Sequence, residues 1–420
     1  MLTRDCVRRL QINVDYSPEQ ERALAAIKRW SESSEQVFYL AGPAGSGKST
    51  LANDAVQNLF ASVLFCAYTG KAALVMRKKG CANATTFHKL VYVSKPRSQE
   101  EVLNFQRQIR QAKQDLKLTD EQVPFHPITK PIWKSLELAL EKSKQPRFIL
   151  NEDSPIKDAD CVVVDECSMI SDRAAEDIRK FNKKILVLGD PYQLPPVKGE
   201  GAFTSKKPDF LLTEIHRQAR DNPIIDMATR IRNGEHLPFG KYGDSAVVRV
   251  NDLSPEEWAS ADQIICARNK TRVAINKRIR ALRGATTAYP DVNDRIMIYR
   301  NNHELGILNG QVWKCLGSGD VVNGEISLTL SDYDDPTETV TANFYADAFN
   351  TERPSEVAPW EVDGAELADY GYCVTGHKVQ GSQYDKVVVF DQSQMTNSPR
   401  QWLYTVATRA AQQLIIVRQP

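Results

Sequence analysis

Nine residues, GPAGSGKST from Gly42 to Thr50, constrain what this chain can fold into more than any other stretch. They satisfy G-x-x-x-x-G-K-[ST] over Gly42–Ser49, they follow the apolar run VFYLA, and a stretch of helical composition follows them. Strand, glycine loop and helix in that order predict a phosphate-binding loop on a parallel sheet. Glycines let the backbone approach phosphate oxygens, and successive N–H groups at a helix N-terminus complement their charge. Gly42, Pro43, Ala44, Gly45, Ser46, Gly47, Lys48, Ser49 and Thr50 are therefore the expected nucleotide cradle. Lys48 is expected to reach the β- and γ-phosphates and Ser49 to ligate Mg2+. The cofactors this loop calls for are ATP and Mg2+.

A second signal, VVVDECSM, places Asp165 and Glu166 at the end of a hydrophobic strand. Adjacent carboxylates are costly there unless a cation or a reaction needs them. Taken alone they also suit a helix N-cap with a first-turn acid. Beside a phosphate loop, Asp165 is expected to hold the metal through its shell and Glu166 to polarise the attacking water as general base. LGDPYQLPPV, residues 188–197, follows another buried-type strand and sets Gln193 next to a rigid Pro-Pro segment. A glutamine there can sense the γ-phosphate or belong to a plain proline-rich turn.

The rest of the chain organises around these motifs. From 16 to 90, a helix from about Ser17 to Trp30, the glycine loop and the run VLFCAYT give a βαβ rhythm. Residues 91–150 turn polar and helical, with 11 basic and 7 acidic side chains, and read as an insertion. Parallel-sheet signals return at CVVVDE and KILVLGD, and a second α/β cluster shows at DQIICARN, KVVVF and LIIVR. Between those, QVWKCLG, GEISLTLS and ETVTANFYA are spaced like strands of a small antiparallel barrel.

A net charge of +1 conceals an asymmetry, because residues 291–370 hold 16 acidic and 4 basic side chains, leaving +13 on the remainder. Phosphate contacts are expected on that remainder. No apolar run approaches bilayer length, and MLTRDCVRRL lacks a signal-peptide core, so a cytoplasmic protein without a membrane partner is expected. Eight scattered cysteines suit buried reduced thiols rather than a zinc site.

GPAGSGKST, VVVDECSM, LGDPYQLPPV, HKVQGSQYD and YTVATRA, in that order, resemble the motifs of superfamily 1 helicases over nearly the whole chain. The QLPPV ending and the short chain are most similar to the superfamily 1B, RecD/Dda-like branch, whose small phage members unwind DNA 5′ to 3′. The resemblance implies an α/β fold of two RecA-like parallel-sheet P-loop motor domains, with an inserted pin/helical subdomain and an inserted small SH3-like β-barrel. On this sequence they fall at 1–90 with 151–200 (first motor), 91–150 (pin), 201–285 with 370–420 (second motor) and 286–369 (barrel). A bacterial or phage-infected cell is the implied setting, and HKVQG departs from the family in having Val379 where Ser is frequent.

The same resemblance assigns individual residues. Gln20 matches an adenine-reading glutamine, although Ser17-Pro18-Glu19-Gln20 equally fits a helix capping box. Arg217 and Arg409 match arginines directed at the γ-phosphate, where fixed planar charge suits a phosphoryl transition state. Thr69, Thr86, His88, Thr375 and His377 match DNA-contacting positions, and hydroxyls and imidazoles can hold phosphate oxygens without reading bases. Phe148 is the candidate wedge aromatic of the pin, with core packing as its other reading. The implied partners are single-stranded DNA and single-strand/duplex junctions, together with replication or recombination proteins, for a monomeric enzyme. Two other readings stand beside this one: a nucleotide-switched single-strand binding or remodelling protein, and an RNA helicase.

Overall fold

The computed structural model describes residues 16–95, 100–144, 147–195, 201–214, 222–300, 302, 305–333, 336–354, 357, 362 and 364–418. They form two compact units, 1–85 with 155–225 and 86–154 with 226–420.

In chain order the first 211 residues give α1 (Pro18–Glu32), β1 (Val37–Ala41), α2 (Lys48–Leu59), β2 (Val63–Ala67), α3 (Gly70–Lys78), β3 (Thr85–Thr86), α4 (Phe87–Val91), β4 (Tyr92–Lys95), α5 (Glu100–Leu116), α6 (Lys130–Lys144), β5 (Arg147–Leu150), β6 (Cys161–Asp165), α7 (Asp172–Arg179), β7 (Lys184–Gly189) and β8 (Phe210–Leu211). The first unit is built on a six-stranded sheet in the order β3-β2-β6-β7-β1-β8. Its β2–β6, β6–β7, β7–β1 and β1–β8 pairings are all parallel. β6 is buried from Cys161 to Val164 and β7 from Ile185 to Gly189, because strands covered on both faces need continuous apolar runs. Helix α1 begins at Ser17, whose side chain accepts from the Gln20 N–H in a full capping box. It turns Ala23, Ile27 and Trp30, spaced i, i+4 and i+7, into a core shared with Leu40, Leu51 and Leu186. Burying a side chain such as Ile27 completely contributes about 1.5–3 kcal/mol.

Residues 86–154 group with the second unit. An antiparallel ribbon, β4 with β5, pairs Tyr92 with Leu150 and Ser94 with Phe148. Between the strands lie α5 and α6, which bury Val102, Ile109, Leu136 and Ala139 in a small core together with Val123 of the turn that joins them. The insertion read from composition thus consists of a ribbon carrying a helix pair.

The second unit also contains a six-stranded sheet, with β9 (Gly240–Tyr242), β10 (Ser245–Arg249), β11 (Gln263–Cys266), β17 (Cys373–Thr375), β18 (Tyr384–Phe390) and β19 (Ala410–Arg418) in the order β17-β11-β18-β19-β10-β9. Among the described residues of this sheet, only the edge strand β9 pairs antiparallel. β12 (Arg295–Ile298), β13 (Val312–Val322), β14 (Glu325–Asp332), β15 (Thr339–Tyr345) and β16 (Ala368–Tyr370) make a five-stranded antiparallel sheet in the order β15-β14-β13-β12-β16.

The two sheets share one apolar cluster, in which Ile264, Val388 and Ile415 pack with Ile296, Trp313, Leu328 and Phe344. Buried polar side chains lock them further. Arg272, on the helix Asn269–Leu282, pairs with Asp369 of β16, each side chain 1% exposed. Arg280 of the same helix donates to Asp294 at 3.0 Å and lies 4.3 Å from the Tyr370 ring centroid. Asp294 and Asp369 belong to the acidic stretch counted above, so part of that acidity is internal.

Candidate nucleotide and strand-binding sites

The phosphate loop joins β1 to α2. Gly45 and Gly47 have φ of +80° and +78°, and Gly47 directly precedes Lys48, the first residue of α2. A Cβ on Gly42 would meet Ser46 Oγ at 2.7 Å and Leu212 O at 3.2 Å, so the loop needs glycine there. Ser46 is 1% exposed and its hydroxyl donates to Pro43 O at 2.9 Å. Lys48 Nζ donates to the carbonyls of Gly42 (2.6 Å) and Pro43 (3.0 Å). The ammonium is thus held at the loop, where phosphate oxygens are stronger acceptors than carbonyls.

Ser49 Oγ donates to Asp165 Oδ2 at 2.9 Å and ties α2 to the end of β6. Asp165 Oδ1 accepts from the Glu166 N–H at 2.8 Å, so both carboxylate oxygens are engaged. Glu166 itself adopts φ 55° and ψ 45°, a left-handed conformation that costs a non-glycine residue about 1–3 kcal/mol. Gln193 is buried, with its N–H on Asp190 O at 3.2 Å and its Oε1 lacking any hydrogen-bond donor. A buried amide oxygen in that position can accept from a bound water or from a ligand's donor. Among the described residues no group of three or more His, Cys, Asp or Glu side chains is placed to hold a metal alone. A hydroxyl, a carboxylate and the nucleotide's own phosphates are the oxygen ligands magnesium prefers, so the residues present fit Mg2+-ATP.

Both ends of the Gln20 amide are in use. Its Oε1 accepts from the Ser17 N–H at 3.0 Å, completing the cap, and its Nε2 donates to Ser46 O of the phosphate loop at 3.3 Å. An adenine contact at Gln20 would have to displace one of these. Arg409 is 5% exposed and donates to Thr405 O (3.0 Å), Ser382 O (3.3 Å) and Thr408 Oγ1 (3.1 Å) within its own unit. Arg217 lies outside the described residues.

The residues expected on the strand occupy element ends. Thr69 Oγ1 caps α3 by accepting from the Ala72 N–H at 3.2 Å, and Thr86 Oγ1 caps α4 by accepting from the Lys89 N–H at 3.3 Å. A hydroxyl that accepts in a cap keeps its proton to donate elsewhere. Thr375 ends β17, and the exposed His377 follows in the turn Gly376–Val379. That turn needs glycine, because a Cβ on Gly376 would sit 2.5 Å from Trp402 Nε1. His88 stands among Phe87, Tyr92 and Phe148, and burial pushes its imidazole below the usual range, which keeps it neutral at pH 7. Phe148 is 42% exposed on β5, which excludes the core reading.

Two contributors escaped the sequence. Lys378 Nζ donates to Asn309 Oδ1 at 2.7 Å and lies 4.7 Å from the Tyr299 ring centroid, fastening the HKVQG turn to the antiparallel-sheet region. Glu19, which reads as an ordinary first-turn acid, accepts three hydrogen-bond donors from Thr213 and Glu214.

A phosphate loop heading a helix, a hydroxyl–carboxylate pair across a parallel sheet and a second carboxylate at the strand end define a P-loop nucleoside triphosphatase. The AAA domain family matches residues 15–252, more than half of the chain, and the UvrD-like helicase C-terminal domain matches 370–417. The chain belongs to the AAA domain family.

Among curated proteins it is 27% identical over 268 residues to the ATP-dependent RecD2 DNA helicase of Deinococcus radiodurans, covering 60% of this chain and 35% of that protein. It is 27% identical over 176 residues to the uncharacterized protein R530 of Acanthamoeba polyphaga mimivirus, covering 40% of this chain and 30% of the relative. The chain thus spans about a third of the length of these relatives. Among solved structures it is similar to a Pif1 helicase from Bacteroides in complex with ADP-AlF3 and ssDNA, with a TM-score of 0.50, 16% identity, and coverage of 96% of this chain and 92% of that one. That likeness agrees with a parallel-sheet RecA-like core.

Proposed function

We propose that this chain is an ATP-dependent DNA helicase that translocates 5′ to 3′ on single-stranded DNA and unwinds duplexes in replication, recombination or repair. The observation that carries the proposal is the Ser49–Asp165 bond at 2.9 Å with Glu166 next in the chain, directly under the phosphate loop. The 27% identity to a RecD2 DNA helicase supports the DNA substrate. In this reading the two parallel-sheet units are the motor domains, the β4–β5 ribbon with α5 and α6 is the pin subdomain, and the antiparallel sheet stands for the SH3-like insertion.

Bound Mg2+ supplies charge neutralisation on the phosphates. Ser49 and Asp165 hold the metal, Lys48 binds the β- and γ-phosphates, Glu166 takes the proton of the attacking water, and Gln193 contacts the γ-phosphate through its unpaired Oε1 via that water. Arg409 and Arg217 add positive charge to the transition state. Thr69, Thr86, His88, Thr375 and His377 hold the strand by its phosphates, which leaves sequence unread.

ATP hydrolysis measured with and without oligo-dT, using Lys48→Ala as the blank, tests this. Strong stimulation that the blank lacks, followed by unwinding of 5′-tailed but not 3′-tailed duplexes, is the expected result. Equal rates with and without the strand would end the nucleic-acid reading. Preferential stimulation by oligo-rU would replace DNA with RNA, and stimulation without unwinding would leave a nucleotide-switched binding protein. Phe148→Ala should leave melting and strand-stimulated hydrolysis unchanged while slowing unwinding by an amount matching a stacking contribution of about 1–3 kcal/mol. Unwinding at the parent rate would remove Phe148 from the junction.

A further inference from the structure

A closed ring of contacts in the first unit joins the phosphate loop to the segment that follows β8. On one side, Leu212 donates its N–H to Ala41 O at 2.8 Å, and Gly42 approaches Leu212 so closely that a Cβ would meet its Cβ at 3.0 Å. On the other side, the Glu19 carboxylate, 6% exposed, accepts the Thr213 hydroxyl at 2.7 Å, the Thr213 N–H at 3.0 Å and the Glu214 N–H at 2.8 Å. Its neighbour Gln20 returns to the loop through Nε2 on Ser46 O. The ring therefore runs Gly42, Leu212, Thr213, Glu19, Gln20, Ser46 and back to Gly42.

A carboxylate this buried is tolerated only where donors saturate it. Burial alone would raise the Glu19 carboxyl, yet the Thr213 hydroxyl, with the Glu214 and Thr213 N–H groups, holds it below its ordinary value. Such an anchor is more than helix N-terminal complementarity, because its donors lie 194 and 195 residues away in the chain. They stand at the start of the stretch by which the chain leaves the first unit, whose last residue is Ile225.

We propose that Glu19 is a positioning residue that couples the phosphate loop to the connection between the two units. Nucleotide at the loop shifts Ser46 and Gly42, and the first turn of α1 passes that shift to Thr213 and Glu214. A ligand moves such an element only through contacts that differ between its two states, and the ring supplies them on both sides. The inference rests on reading the loop as the ATP site; it does not require that the strand be DNA.

The test uses the full chain with Glu19→Gln, which keeps size but turns an amide N–H toward backbone donors, and Thr213→Val, which removes only the hydroxyl donor. Two readouts are taken: hydrogen exchange at the Thr213 and Glu214 amides with and without a non-hydrolysable ATP analogue, and kcat and KM for strand-stimulated hydrolysis. In the parent, nucleotide should slow exchange at both amides. Glu19→Gln should abolish that response and lower kcat about tenfold with KM nearly unchanged, the loss expected of one charge-assisted hydrogen bond. Thr213→Val should show the same signature more weakly, and it carries the test should Glu19→Gln fail to fold. A retained nucleotide response, or a rise in KM with kcat intact, would overturn the proposal. A parent that responds in exchange yet shows no strand stimulation would sink the helicase reading and leave the coupling standing.

Discussion

Glu166→Gln is expected to bind Mg2+-ATP as tightly as the parent and to hydrolyse it about 10²–10⁴-fold more slowly, the range for losing a positioned general base. The geometry makes the effect specific. Asp165 uses one oxygen for Ser49 and the other for the Glu166 N–H, so the metal-side carboxylate is already committed and cannot stand in for its neighbour. The amide preserves the shape of the side chain and leaves the backbone N–H bond to Asp165 untouched. Single-turnover hydrolysis and titration with a fluorescent nucleotide separate the two effects. Turnover within twofold of the parent would remove Glu166 from proton transfer and leave its left-handed backbone without a catalytic reason.

The largest effect on stability is expected at the buried pair. Asp369→Ala should destabilise the second unit by about 3–5 kcal/mol, because it strands a guanidinium that is 1% exposed. It also frees the N–H groups of Asn350 and Tyr370, which donate to Asp369 Oδ1 at 2.9 and 2.8 Å. Arg272 would keep only Thr351 O at 2.6 Å and weaker acceptors. Replacing both partners by apolar residues, Arg272→Met with Asp369→Leu, should recover much of the loss, since the desolvation of two charges disappears with the pair. Urea unfolding followed by tryptophan fluorescence reads both variants. A single Asp369→Ala variant within about 1 kcal/mol of the parent would mean the pair adds little beyond its neighbours.

What could be read from the chain follows the range of the interactions. The phosphate loop, Asp165 and Glu166 are set by contiguous motifs, and β1, β2, β6 and β7 by continuous apolar runs, so local pattern reveals them. β8 is two residues long and β17 three, too short for any periodicity, and each is held by its neighbours in the sheet. The Arg272–Asp369 pair spans 97 residues, and Glu19 reaches Thr213 over 194, so neither partner marks the other in sequence. Charge counting misled in the same way: Asp294 and Asp369 add to the acidic tally of 291–370 yet face Arg280 and Arg272 inside the protein. Gln20 could be read as a cap or as a nucleotide contact, and the structure shows one amide serving the cap with its oxygen and the loop with its nitrogen.

The strand order of the first sheet has a consequence for synthesis. β1, which carries the phosphate loop, pairs on one side with β7 and on the other with β8, both encoded about 150 residues or more downstream. A nascent chain extended at roughly 5–20 residues per second therefore leaves β1 without β7 for roughly seven to thirty seconds, and without β8 until Leu211 has also been made. The loop cannot take its closed shape in that interval, since Leu212 is one of its walls. A nascent VFYLA strand without partners is the segment a chaperone would be expected to shelter.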